Sequence, residues 1–183
     1  MTVLASDLKI LAADSLVSSG DIKAYNRSKI RIIKQHAIAT AGSENDGYRF
    51  EHWYFAQNGE IFTAEDSFQV IVFCKNKIQV GETKSDSNEL AKLWDPMAKF
   101  AMGMDQASAA AEILMRVAGF NAHKAAVAAA NYHVYCGEPV YSITKAQLDA
   151  IHPDFDGYWI GSYKTPISKI EDFLITHKQW LKT

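Results

Sequence analysis

The sequence predicts a single α/β domain over residues 1–183, of the α+β kind with antiparallel strands. Short runs of β-branched and aromatic residues separated by polar turns are typical of such strands. These runs are residues 8–13, 24–33, 36–41 and 68–75. Two alanine-rich runs, residues 106–117 and 121–133, meet at Gly119 and predict a pair of helices. A chain of 183 residues with 48% hydrophobic content suits one core.

Composition excludes several classes of function. The formal net charge of -2, from 19 basic and 21 acidic residues, gives no electrostatic case for binding nucleic acid or a membrane surface. No apolar run approaches the roughly 20 residues of a membrane span, and no secretory signal is evident. Cys74 and Cys136 lie far apart, and the histidines show no metal-ligand spacing. We therefore expect a cytoplasmic protein without metal or cofactor.

The first fourteen residues predict a β-hairpin. Two strand-forming runs flank a polar break after Ala5, which suits a turn at an acidic residue. A three-residue loop over residues 7–9 would place Thr2 directly opposite Asp14, whereas a two-residue loop would place Ala13 there. The register of this hairpin therefore decides whether Thr2 and Asp14 can form a site.

Thr2 is a candidate nucleophile. A small residue after the initiator methionine permits its removal in the cytosol, and loss of Met1 would give Thr2 a free α-amine. That amine has a reference pKa of about 7.7–8.0, so near neutrality it can accept the proton of the hydroxyl. The alternative is that Thr2 is the β-branched start of an edge strand.

Lys29 is a candidate cation beside this nucleophile. Charged and branched aliphatic residues alternate along residues 24–33, which puts Lys29 on the opposite strand face from Ile30 and Ile32. On that face its ammonium could lie beneath Thr2. The alternative is a solvated lysine of an ordinary strand.

Gly42 follows the strand predicted over residues 36–41 and precedes a helix predicted over residues 46–57. A backbone N–H at such a corner is well placed to stabilise an oxyanion. An ordinary turn glycine is the alternative. The aromatic residues of the helix suggest packing onto the sheet or against another subunit.

The remaining chain predicts further strands and a long tail. Residues 63–67 allow at most one helical turn, residues 68–75 and 77–81 form a hairpin, and residues 100–102 form a short strand after the loop at Pro96. Residues 140–144 read as the final strand. Residues 145–183 are then a C-terminal extension, in which residues 167–181 show the apolar spacing of an amphipathic helix.

Four positions in order carry a family resemblance. Thr2, Asp14 after an apolar-apolar-small-small run, Lys29 in Asn-x-x-Lys-Ile, and Gly42 in a small-Gly-small turn closely resemble the N-terminal half of proteasome β-subunits. They also resemble the HslV-type peptidase, and both are N-terminal-nucleophile hydrolases. The resemblance implies a four-layer αββα sandwich of two antiparallel sheets. It also implies a threonine peptidase that cleaves peptides or unfolded polypeptides.

The resemblance also assigns roles. It implies Thr2 as nucleophile, Lys29 held by Asp14, an oxyanion hole at Gly42, and Ser18 as a contact for the substrate backbone. The family's supporting serine and aspartate are replaced here by Met104 and His133, and His133 could substitute for the aspartate. The interval between Thr2 and Asp14 is also shorter than in the relatives.

The resemblance implies partners and leaves two alternatives. It implies homo-oligomers of stacked rings, with an ATPase unfoldase as candidate partner. One alternative keeps the fold without the chemistry, as a non-catalytic ring or scaffold subunit. The other is a small-amide hydrolase of the same superfamily.

Overall fold

The computed structural model describes residues 2–19, 22–26, 28–57, 59–74, 77–90, 92–103, 105–133, 136–137, 139–153 and 155–159. Within them the chain forms two main antiparallel sheets with helices on their outer faces. A two-stranded hairpin of β3 (Leu16–Ser19) and β4 (Ile22–Asn26) and a small pair of β7 (Phe62–Thr63) with β10 (Glu89–Leu90) complete the sheet structure described.

The first sheet carries the N-terminal hairpin at its centre. Its strands are β1 (Val3–Ser6), β2 (Ile10–Ala13), β11 (Phe100–Gly103) and β12 (Tyr141–Thr144), in the order β11-β1-β2-β12. Helices α2 (Asp105–Arg116) and α3 (Ala122–Tyr132) cover its outer face. Their buried alanines let the helices lie close to Val3, Ala5 and Ala12. Both alanine-rich helices predicted from the sequence are confirmed.

The second sheet has the order β13-β5-β6-β8-β9. Its strands are β5 (Ile30–Ile33), β6 (His36–Ala41), β8 (Gln69–Cys74), β9 (Ile78–Glu82) and β13 (Asp156–Trp159). Helix α1 (Glu44–Ala56) covers its outer face, where Phe50 packs with Phe62 and Phe68. Leu4 and Leu11 of the first sheet meet the other face of this sheet in a fully buried core. The predicted four-layer αββα arrangement is confirmed.

The hairpin register differs from both predicted alternatives. Ser6 pairs with Leu11 and Leu4 with Ala13, so that Val3, and not Thr2, lies opposite Asp14. The loop is longer than expected because the Asp7 carboxylate accepts hydrogen bonds from the backbone N–H groups of residues 9 and 10, at 3.0 and 2.8 Å. This side-chain turn adds residues between the paired strands.

Two other element predictions are wrong. The strand predicted over residues 24–33 is two strands, because Ser28 Oγ bonds Ile30 N locally and β4 and β5 pair with different partners. Lys29 consequently precedes β5. The limit of at most one helical turn over residues 63–67 holds, since Phe62–Thr63 is strand β7 and no helix follows it there. The strand β12 is not the last, because β13 follows it and joins β5.

The beginning of the C-terminal extension is built into the domain. Helix α4 (Lys145–Ala150) starts with a capping box at Thr144, and Leu148, Ile151 and Phe155 lie in the core between the sheets. The amphipathic helix predicted over residues 167–181 lies outside the described residues. In the part of the chain that is described, no helix is long and apolar enough to span a bilayer.

Candidate active site

Asp14 lies at the end of β2 with a side chain that is inaccessible to solvent. Its Oδ1 accepts hydrogen bonds from Val3 N at 2.9 Å and from Lys29 Nζ at 2.8 Å. Its Oδ2 accepts from Gly137 N at 3.3 Å. Three donors thus satisfy the buried carboxylate and fix its orientation.

Lys29 reaches Asp14 from the second sheet. Its side chain is 11% exposed, and its backbone carbonyl accepts from Thr40 N, which attaches the segment to β6. Burial lowers the pKa of Lys29 below its ordinary value, while the charge of Asp14 and the hydrogen bond to it act in the opposite direction. The ammonium therefore joins the two sheets at one carboxylate oxygen.

Thr2 is buried at 7% exposure beside the last residue of β11. Gly103, which pairs with Val3, has a φ of +114°, and a Cβ built on it would lie 2.0 Å from the carbonyl oxygen of Thr2. Only glycine can occupy this position. The close approach holds the backbone of Thr2 against β11.

Gly42 lies at the corner between β6 and α1. Its φ is +126°, and an added Cβ would lie 2.7 Å from the carbonyl oxygen of Ser67. Thr83 holds Phe68, the residue after Ser67, through two hydrogen bonds. The backbone N of Thr83 donates to Phe68 O at 2.9 Å, and its Oγ1 accepts from Phe68 N at 2.9 Å. Ser43 caps α1 through a hydrogen bond from Asp46 N. These contacts set the conformation of Gly42.

Thr2 and Gly42 line the same cavity, of about 540 Å³. Gly103, Ser67 and Thr83 contribute to its wall. The volume falls within the range of small-molecule and peptide sites. The Asp14–Lys29 pair is not part of this lining, but Asp14 bonds the backbone N–H of Val3, the residue after Thr2.

Cys136 lies close to this ion pair. Its thiol is 3% exposed, and burial raises its pKa to about 11; the charge of Asp14 adds to the rise and that of Lys29 opposes it. The neighbouring Gly137 accepts from Ser15 N at 3.2 Å and donates to Asp14. The Cys136–Gly137 turn therefore supports the carboxylate.

Sequence reasoning proposed Thr2, Asp14, Lys29 and Gly42 as site residues, but it assigned no role to several residues that contact them in the structure. The residues missed are Ser15, Gly103, Cys136 and Gly137. A glycine between strand and helix was a usable signal for Gly103. The contact of Gly137 with Asp14 joins residues 123 positions apart, which no local pattern can reveal.

Three other predicted site residues are placed only in part. Ser18 lies in β3, where its backbone pairs with Lys23. His133 is the C-cap residue of α3, half-buried, and its carbonyl accepts from Cys136 N at 3.1 Å. Met104 lies outside the described residues. Among the residues with described side chains, no cluster of His, Cys, Asp and Glu could hold a metal ion.

The fold matches solved structures of known proteins. BPH from Thiobacillus denitrificans superposes with a TM-score of 0.54 at 18% identity, covering 78% of this chain and 96% of that one. HslV from Trypanosoma brucei superposes with a TM-score of 0.54 at 21% identity, covering 79% and 99%. The chain has the proteasome-like fold. The fold class and the recognition made from four short motifs are thereby confirmed.

The proteasome-like fold also matches BPH in complex with epoxomicin, with a TM-score of 0.51, 17% identity and coverage of 78% and 96%. No protein-family model and no curated sequence matches the chain. At these identities the matches establish the architecture only. The chemistry of this proteasome-like chain has to be argued from its own residues.

Proposed function

We propose that this chain is a threonine-type endopeptidase subunit that cleaves peptides or unfolded polypeptides. One observation carries the proposal: Thr2 lines a cavity with Gly42, and the residue after Thr2 donates its backbone N–H to Asp14, which forms a buried ion pair with Lys29. The second position suits a nucleophile because removal of Met1 would expose its amine. The proteasome-like fold supports this assignment.

In the proposed reaction the hydroxyl of Thr2 attacks an amide carbonyl while its own α-amine takes the proton. The Lys29 ammonium favours the deprotonated nucleophile electrostatically, and Asp14 keeps Lys29 charged and oriented. Gly42 N–H would stabilise the oxyanion, an effect worth about 3 kcal/mol where such donors have been removed. The protonated amine then gives its proton to the leaving amine, and water hydrolyses the remaining ester.

Substrate would bind as an extended strand along β3. This strand lies in a two-stranded hairpin outside the main sheets, and Ser18 is placed within it. Backbone hydrogen bonds to an added strand give affinity with little dependence on sequence. Such recognition suits a peptidase for unfolded chains.

We also propose that the subunit self-associates in the cytoplasm into homo-oligomeric rings, with an ATPase unfoldase as candidate partner for supplying unfolded chains. Self-association is supported by the outer face of α2 and the turn after it, which expose apolar side chains. These are Ile113 at 60%, Val117 at 81% and Phe120 at 37% exposure. Contiguous apolar exposure of this kind marks contact surfaces.

The test uses purified protein whose intact mass shows that Met1 is absent. A fluorogenic peptide measures turnover, and epoxomicin, the compound held by BPH in one solved complex, probes for a covalent adduct. We expect turnover of the peptide. We also expect the mass of each chain to rise by the mass of one epoxomicin molecule. Thr2→Ala should abolish both, and Lys29→Ala should abolish turnover.

The outcomes separate the proposal from its alternatives. Turnover or an adduct that survives Thr2→Ala would exclude Thr2 as nucleophile. A fully processed wild type inert to both reagents would favour a non-catalytic ring subunit. Inertness toward peptides combined with hydrolysis of small amides that depends on Thr2 would favour the small-amide hydrolase.

A further inference from the structure

Ser15 is a buried residue whose hydroxyl lacks a hydrogen-bond partner in the described part of the chain. It is inaccessible to solvent, and its Oγ has no hydrogen-bond partner among the residues that the structure describes. Its backbone N donates to Gly137 O at 3.2 Å, so the chain remains extended past Asp14. A buried hydroxyl that no protein group pairs costs free energy, so such a group calls for an explanation.

The hairpin register places Ser15 next to Thr2. Asp14 N donates to Val3 O at 3.2 Å, and Val3 N donates to the Asp14 side chain, so these two residues face each other. Continuing this register by one residue beyond the paired strands makes Thr2 and Ser15 the next opposing residues, at a position without hydrogen bonds between the strands. Side chains at such a position are closest, with Cα atoms about 4.5 Å apart.

Thr2 and Ser15 also share one face of the sheet. Side chains alternate along a strand, so Thr2 lies on the side of Leu4 and Ser15 on the side of Ala13. Leu4 and Ala13 both lie in the core between the two sheets. If the alternation of β1 and β2 continues by one residue, both hydroxyl groups point toward the space between the two sheets.

We propose that Ser15 is a positioning residue whose hydroxyl donates a hydrogen bond to Thr2 Oγ1 in the processed protein. The bond would hold the nucleophile in its reactive rotamer and stabilise negative charge on Oγ1 as the proton leaves. The proposal rests on the peptidase function proposed above. It accounts for a buried hydroxyl that contributes no hydrogen bond to the fold.

The experiment compares Ser15→Ala, Ser15→Thr and Ser6→Ala, all as full chains verified to lack Met1. Ser6 is the matched control because it is equally buried in the same hairpin, but its Oγ accepts from Leu8 N at 3.3 Å. The readouts are kcat and KM on a fluorogenic peptide, the rate of epoxomicin adduct formation, and Tm.

For Ser15→Ala we expect kcat and the adduct rate to fall roughly tenfold or more, with KM unchanged and Tm equal to or above that of the wild type. Ser15→Thr, which keeps a hydroxyl, should recover most of the kcat. Ser6→Ala should show the reverse pattern, with a lower Tm and an unchanged kcat.

The experiment separates failure of the proposed role of Ser15 from failure of the proposed peptidase function. An active wild type with an equally active Ser15→Ala variant would remove the role of Ser15 and leave the peptidase in place. A kcat that falls only together with Tm would assign Ser15 to the fold. A processed wild type that is inert would refute both proposals.

Discussion

Lys29 Nζ lies 2.8 Å from Asp14 Oδ1, and the same oxygen accepts from the backbone N–H of the residue after Thr2. Lys29 belongs to the second sheet and Asp14 to the first. One carboxylate oxygen therefore fixes the distance between the candidate nucleophile and its candidate cation. The proposed chemistry depends on this junction of the sheets.

Replacing only Lys29 should lower stability by more per substitution than replacing both Lys29 and Asp14. Lys29→Met leaves a buried carboxylate short of a donor and should lower the free energy of unfolding by about 3 kcal/mol. The double variant Lys29→Met with Asp14→Asn should recover at least about 1 kcal/mol of the summed losses, while remaining inactive. Urea unfolding at pH 7 measures both effects.

The matched control for that prediction is the exposed pair of Glu112 and Arg116, whose atoms are 3.0 Å apart with side chains 32% and 51% exposed. Glu112→Gln should change stability by less than about 1 kcal/mol. Strictly additive losses in the double variant at Lys29 and Asp14 would argue against coupling between them.

Gly42→Ala should lose both stability and activity. The substitution forces a φ of +126° on a residue with a side chain and drives its Cβ against Ser67 O, so we expect a loss of at least about 2 kcal/mol. Gly59→Ala is the control, because its φ is +75° with no atom within 4 Å of the added Cβ. It should cost about 1 kcal/mol and leave turnover unchanged. Equal effects at both glycines would contradict the steric argument.

Cys136 should make the protein less stable at alkaline pH. Its thiol has a folded pKa of about 11 against an ordinary 9.0, so the folded state holds the proton over that window and stability falls as pH rises through it. By pH 10 the loss from this residue should reach about 1 kcal/mol. Denaturant unfolding at pH 8 and pH 10 should show a smaller decline in Cys136→Ala. Parallel declines in the two proteins would refute the prediction.

The exposed face of α2 should govern assembly. Ile113→Glu combined with Val117→Glu places charge on the apolar surface and should reduce particle mass in light scattering without lowering the stability of the subunit. Ile61→Glu, at a residue 62% exposed elsewhere on the surface, should leave the mass unchanged. A wild-type monomer at micromolar concentration would contradict self-association.

Elements with a strong local signal were predictable. The strand over residues 36–41 was found with its exact bounds, because a short apolar run that ends at Gly42 is a local signal. Helices α2 and α3 were found within one residue at each end, since alanine content and the Asn121 cap act locally. Strand β13 was missed because its pairing with β5 depends on a long-range contact.

The sequence by itself determined the fold class and four candidate site residues, because the chemistry of Thr2, Asp14, Lys29 and Gly42 follows from residue type and order. Only the tertiary structure decided which residue faces which. The Asp7 side chain lengthened the hairpin loop, and a shift of one residue moves every side chain to the other face. It therefore placed Val3 rather than Thr2 opposite Asp14, while the ion pair to Lys29 formed across the sheets through contacts that no local pattern encodes.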